Sequence, residues 1–293
     1  MTAPESTPVT VSWVPSRARR ASRLLRDPSF LAGALITTLI VIVAAAPGLF
    51  AGFDPLAVDG SRRLATPSAV HPFGTDELGR DMLSRVIHGA RLSVSSGFFA
   101  VLIATVLGGA LGLVAGYAGG GLDEVMMRVA DIFLAFPALV MAMAVVAALG
   151  PSLVNALLAL AIVWWPQYTR LVRISVVAAK EQTYVEAARA AGVPERRIML
   201  RHVLPNIVSP VIVKMTLDVG TAILLTAALS FLGLGAQPPT PEWGSMITTG
   251  RNYMLEYWWY PTFPGAAIFL TALGFNLLGD GVRDWLDPRM AAG

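Results

Sequence analysis

Apolar positions along this chain gather into six long runs separated by polar segments of very different length. The runs are too continuous to be one-sided helices on a soluble globule. They extend from Phe30 to Phe53, Leu92 to Ala118, Val129 to Leu149, Ser152 to Thr169, Ile207 to Gly235 and Pro261 to Gly281. A helix pairs its own backbone groups, and about 20 apolar residues in helical form reach across the hydrocarbon core of a bilayer. The pattern therefore predicts an all-α, polytopic membrane protein with six transmembrane helices. The third and fourth runs are joined by little more than Gly150 and Pro151, which predicts a helical hairpin. The polar stretch through Asp27 is too long and too arginine-rich for the start of a cleaved signal peptide, so the first run is expected to be a retained anchor.

Composition agrees with the pattern: 55% of the 293 residues are hydrophobic and only 14% are charged, too few to clothe a soluble surface. Without cysteine there is no disulfide framework, thiolate metal site or cysteine nucleophile. Five divisions follow: a basic N-terminal tail (1–29), a first spanning helix (30–53), an extracytoplasmic loop with a short helix (54–91), a core transmembrane domain (92–285) and a C-terminal tail (286–293). If the N-terminus is cytoplasmic, fifteen of the 22 lysines and arginines fall inside, among them Arg17, Arg19, Arg20, Arg23, Arg26 and Arg289. Six fall outside and Lys214 lies within the fifth run. The excess of inside cations predicts that both ends, and the segment 181–206, are cytoplasmic.

Between the first two runs, "HPFGTDELGRDMLSRVIHGARLS" reads as a turn-rich loop and then a short helix, Asp81 to His88, with Met82, Leu83, Val86 and Ile87 on one face. That helix is expected at the membrane interface, with contact to an external partner as the alternative. In the second run Gly108, Gly112 and Gly116 recur every four residues, a spacing that lets helices approach closely.

The densest charge lies in "EAARAAGVPERRIMLRHVLPN", residues 186 to 206. Thr183 and Glu186 match a capping box, so a helix is predicted to begin there and to run through four alanines to Gly192, which tolerates a left-handed helix end. Pro194 suits the first turn of a second helix, Glu195 its positive end, and Pro205 its stop. So many alanines leave little side-chain bulk, and the helix can lie close against another subunit. The plainer alternative is an amphipathic loop resting on lipid headgroups.

This segment resembles the EAA loop of the membrane subunits of ABC importers: Glu186-Ala187-Ala188, three residues, Gly192, then Leu204-Pro205 at the family spacing, with His202 where an apolar residue is common. The stretches "HPFGTDELGRDMLSRVIHGARLS", "SFLGLGAQPPTPEWGSMI" (230–247) and "GDGVRDWLDPR" (279–289) narrow the resemblance to the dipeptide, oligopeptide and nickel permeases, C-type subunit. The resemblance implies the type I importer fold, with Glu186, Ala187, Ala188, Arg189, Gly192 and Arg196 in a coupling helix that docks on a cytoplasmic ATPase subunit. It also implies a second, homologous permease chain, two ATPase domains that bind the ATP and Mg, an extracytoplasmic substrate-binding protein, and a bacterial or archaeal inner membrane. The cargo it implies is di- or oligopeptides, with a nickel chelate or glutathione as the alternative.

Chemistry of the chain's own is scarce. Lys180 precedes Glu181 and Lys214 precedes Met215, so neither lysine closes a phosphate-binding loop, and His71, His88 and His202 are dispersed. No cofactor, metal site, catalytic residue or nucleic-acid surface is expected. Polar groups within the runs are candidates for a translocation pathway. Lys214 and Asp218, four apart, can pair with each other or line a cavity; Trp164 and Asn276 are further pathway candidates; Asp131 is expected to pair with Arg128. A stand-alone secondary transporter or channel is the rival class, with a membrane enzyme a weaker one.

Overall fold

A computed structural model describes residues 27–286, and every structural statement below concerns those residues. The basic residues of the tail before Asp27, and the C-terminal residues 287–293, lie outside them. The fold is all helical, with a single isolated bridge between Thr75 and Asp81 in place of any sheet among the described residues.

Helix α1 (Pro28–Ala45) opens on Asp27, whose carboxylate accepts from the Ser29 amide at 2.8 Å. Its Leu35 and Leu39 are 71% and 56% exposed, as suits a face turned to lipid. Helix α2 (Met82–Ala118) merges two expected elements: the interfacial helix is simply the first turns of a 37-residue span. Asp81 caps it, accepting from the Ser84 amide at 2.7 Å; of the four residues expected on one face, Met82 and Val86 are buried and Leu83 and Ile87 half-buried.

The third run is not one straight span. It forms α3 (Gly120–Leu134) and α4 (Ala138–Leu149), bent by 89° where Pro137 interrupts the amide ladder. Twelve residues of α4 rise only about 18 Å at 1.5 Å per residue, well short of a bilayer core. The hairpin at Gly150 and Pro151 is present, and Ser152 caps the next helix, α5 (Leu153–Lys180), by accepting from the Asn155 amide. Four single helices are long and apolar enough to cross a membrane, or five if the bent pair counts as one, so the expected six are not met on these grounds. The helix that holds the fourth run, α5, is absent from that set because its second half carries Gln167, Arg170 and Arg173. Packing explains its polarity: α5 lies among α2, α3 and α4 rather than against lipid alone.

The glycine spacing in α2 works as expected. A methyl group at Gly108 would sit 2.2 Å from the Trp165 carbonyl oxygen, and one at Gly112 would sit 2.4 Å from that of Thr169. Backbones approach closely enough for the Thr169 hydroxyl to donate to Gly108 O at 3.0 Å.

The remaining helices are α6 (Thr183–Ala190), α7 (Glu195–Ile198), α8 (Leu204–Phe231), α9 (Trp243–Gly250) and α10 (Trp259–Leu286). On the side of the loop before α2, fully buried Asp76 meets Arg80 Nε at 2.6 Å and Arg85 Nε at 3.4 Å. Glu77 accepts from the Tyr260 hydroxyl, and Trp259 Nε1 donates to Thr75 O at 3.4 Å. Thus the long loop is tied to α10. Glu242, also fully buried, caps α9 by accepting from the Gly244 and Ser245 amides at 2.9 and 2.8 Å. Burial holds its carboxyl above the ordinary glutamate range despite those donors.

Candidate functional site

The alanine-rich segment folds as helix, glycine turn, helix. Helix α6 is short, and its end has the Schellman pattern: Val193 N donates to Ala188 O at 3.1 Å and Gly192 N to Arg189 O at 3.0 Å, with Gly192 at φ +76°. Two expectations here are corrected. Gln182, not Thr183, is the N-cap, and no side chain caps the helix, so the Thr183–Glu186 capping box does not form. Nor does Pro205 stop the second helix. Leu204 and Pro205 open α8, where a missing amide is tolerated, and a π turn (Met199–Val203) joins α7 to α8 without a break.

The hairpin has two faces. Val185, Ile198 and Val203 are fully buried and pack with Leu113 of α2 and Val172 and Val176 of α5. Opposite them Glu186, Ala187, Arg189, Ala190, Ala191, Gly192 and Arg196 are exposed, with Ala188 half-buried. Exposed alanines between charged residues form a place where another backbone can come close. Arg189 Nε donates to Glu195 Oε1 at 2.7 Å, and this carboxylate raises the guanidinium above its ordinary range.

The second constellation lies between α5, α8 and α10. A cavity of about 460 Å³ is lined by Leu171, Ser209, Val213, Lys214, Asp218 and Arg283, among others. Lys214 Nζ is 2.9 Å from Asp218 Oδ2 and 3.1 Å from Gln167 Oε1, and the Tyr168 hydroxyl donates to Asp218 at 2.7 Å. The two readings of the pair are therefore both realised: Lys214 and Asp218 pair and line a cavity. The other pathway candidates do not join them. Trp164 is 5% exposed within the core, and Asn276 donates to Ala272 O at 2.8 Å beside a separate cavity of about 340 Å³. Gln167, Tyr168 and Arg283 were missed, although Gln167 and Tyr168 are polar residues at the end of an apolar run. Asp131 pairs with Arg170 rather than Arg128, because α3 folds back along α5.

A helical bundle with several apolar spans, a mostly apolar cavity that holds one ion pair and an exposed hairpin rich in alanine is the fold of a multi-pass membrane protein. The chain belongs to the family described as binding-protein-dependent transport system inner membrane component, which matches residues 108–292. It is similar to the probable D,D-dipeptide transport system permease protein DdpC of Escherichia coli K12, at 49% identity over 90% of this chain and 88% of the relative. A dipeptide transport system permease protein DppC of Alkalihalophilus pseudofirmus is 47% identical over 92% of this chain and 88% of its own length. A glutathione transport system permease protein GsiD of Escherichia coli O6:K15:H31 is 45% identical over 92% and 89% respectively. The resemblance to C-type permeases of ABC importers is thereby borne out.

Proposed function

We propose that this chain is one permease subunit of an ATP-driven importer of short peptides, paired with a second permease chain and served by an external binding protein. The α6 hairpin is the docking element for one of two cytoplasmic ATPase domains, and those domains hold the ATP and Mg. Closure of the ATPase pair on ATP pushes the hairpins, and the bistable packing of the spans converts that push into alternating access. This requires the hairpin, and with it both termini, on the cytoplasmic side.

The observation that carries the reading is the exposure of Glu186, Ala187, Arg189, Ala190 and Ala191, three alanines between two charges, on a hairpin whose other face is anchored in the spans. The cargo class rests on relatives named for dipeptide, D,D-dipeptide and glutathione transport, all short peptides or peptide-like solutes. A cavity with one neutralised ion pair and mostly apolar walls suits cargo of variable side chains that must also be released.

The test is uptake by the reconstituted complex, with its binding protein, of labelled alanyl-alanine, labelled glutathione and labelled nickel. ATP-dependent dipeptide uptake is expected. Glutathione uptake alone would narrow the cargo, nickel uptake without either peptide would overturn it, and transport by this chain without ATPase subunits would place it in the stand-alone class.

A further inference from the structure

The hairpin is held to the rest of the chain in two different ways. Toward α8 the link is the π turn, in which Leu204 N reaches Met199 O, a wide turn of a kind frequent at functional sites. Toward α2 the link is a polar clasp centred on Tyr117, the next-to-last residue of that helix. The Tyr117 hydroxyl donates to the Glu195 carboxylate and lies 3.0 Å from Glu195 O. Lys180, the last residue of α5, donates to Tyr117 O at 2.7 Å and to Gly116 O at 3.3 Å, with its ammonium 5.3 Å from the Tyr117 ring centre. Glu195 in turn receives Arg189 across the Gly192 turn, at 2.7 and 3.3 Å. Four elements, α2, α5, α6 and α7, thus meet at one tyrosine.

Stability does not account for this arrangement. Arg189 and Glu195 are 46% and 54% exposed, and exposed pairs add little to folding. The buried underside of the hairpin already supplies the adhesion, but apolar contact is non-directional. Directional bonds fix where α6 stands relative to the end of α2. Beyond Tyr117, α2 is packed backbone to backbone on α5 through Gly108, Gly112 and Gly116, so a displacement at its end is not absorbed by side-chain repacking.

We infer that Tyr117, held by Glu195, is the positioning residue through which movement of the α6 hairpin is transmitted to α2. This rests on the coupling role proposed above. Tyr117 and Glu195 need not touch the ATPase subunit to act; they act through Arg189 and the helix that carries it.

The experiment uses the full complex with a single cysteine at Val213 in the cavity wall, since the chain has none of its own. Its labelling rate by a water-soluble maleimide is compared with and without ATP plus vanadate. Tyr117→Phe and Glu195→Gln should assemble with the ATPase subunits and hydrolyse ATP at the wild-type rate. The ATP-dependent change in labelling should shrink about fivefold or more, within ordinary coupling strengths. The double variant should be no worse than Glu195→Gln alone, since Glu195 also holds Arg189 and Tyr117 acts only through Glu195. Full retention of the change in both variants would overturn the inference, as would failure of both to assemble, which would make the clasp merely structural. Gly192→Pro separates the two levels: if it abolishes the change while the Tyr117 and Glu195 variants keep it, only the clasp is wrong; if it too keeps the change, the coupling reading falls as well.

Discussion

Lys214 Nζ and Asp218 Oδ2 stand 2.9 Å apart, one turn apart on α8, with side chains 25% and 18% exposed at the edge of a cavity. At that depth each charge depends on the other, and Gln167 and Tyr168 complete their hydrogen bonds. Asp218→Ala should lower the stability of the purified complex by about 1.5–3 kcal/mol, the range for losing hydrogen bonds to a charged group. Lys214→Met combined with Asp218→Leu should recover part of that loss, because no lone charge remains. Thermal unfolding of the two variants measures the difference; equal losses would show that the pair is not energetically coupled.

Close helix approach yields a second comparison. Gly108→Ala drives a methyl group to within 2.2 Å of the Trp165 carbonyl oxygen, whereas at neighbouring Gly109 the nearest atom is Val172 Cγ2 at 3.9 Å. The first variant should separate α2 from α5 and cost about 1–3 kcal/mol as an overpacked contact, while Gly109→Ala should be near neutral. Expression yield and melting temperature of the two variants, side by side, decide the matter.

What could be read along the chain was what depends on neighbours in sequence. The apolar runs, the Gly150–Pro151 hairpin, the Gly108 spacing, the Gly192 turn and the Lys214–Asp218 pair all involve residues within a few positions of one another. Errors arose where tertiary packing chose among local options. Asp131 had Arg128 three residues away, but the fold brought Arg170 to it. Thr183 and Glu186 had the spacing of a capping box, yet the helix begins one residue past Gln182 and leaves neither in the capping position. Pro137, a helix breaker visible in the sequence, bends a run that its apolar composition presented as one span, and the clasp at Tyr117 joins residues 78 positions apart. Of the proposed site, the exposed EAA face was legible and the cavity was legible only in part.

The proposed coupling surface predicts a separation of functions. Gly192 sits at φ +76° with nothing near its would-be side chain, so Gly192→Ala is strained but unobstructed, whereas Gly192→Pro forbids the conformation outright. Glu186→Lys reverses an exposed charge without disturbing the fold. Gly192→Pro and Glu186→Lys should insert and pair with the second permease normally, yet transport should fall sharply, with ATP hydrolysis lost or no longer stimulated by cargo. Alanine at 192 should be the milder change. Normal transport by both severe variants would remove the hairpin from the coupling role.

Buried Glu242 predicts a pH dependence with a definite sign. Burial raises its folded-state value above the ordinary one. A group raised on folding stabilises fully below its unfolded value, about 4.3, and that contribution is lost as pH rises through the folded value. Acidification from neutrality toward about pH 5 should therefore stabilise the wild type through this residue, and Glu242→Gln should lack that increment. Melting temperatures of both forms across that interval check it; parallel curves would show that Glu242 has the same affinity for protons folded and unfolded.

Topology is the most exposed of the expectations, because five of the arginines that set it, Arg17 to Arg26, precede the described residues. The fold offers an independent test. Thr66 and Gln237 lie exposed in the loops before α2 and between α8 and α9, at one end of the bundle, and Glu181 lies exposed at the start of the hairpin segment. The chain has no cysteine, so each position can carry a single one. A charged maleimide that does not cross the membrane should label Thr66→Cys and Gln237→Cys in cells whose outer layers admit it, and should label Glu181→Cys only after the membrane is opened. The excess of inside cations requires that order, and so does docking of the hairpin on an ATP-hydrolysing partner. Labelling of Glu181→Cys in sealed cells would invert the orientation and, with it, remove the hairpin from the compartment that holds ATP.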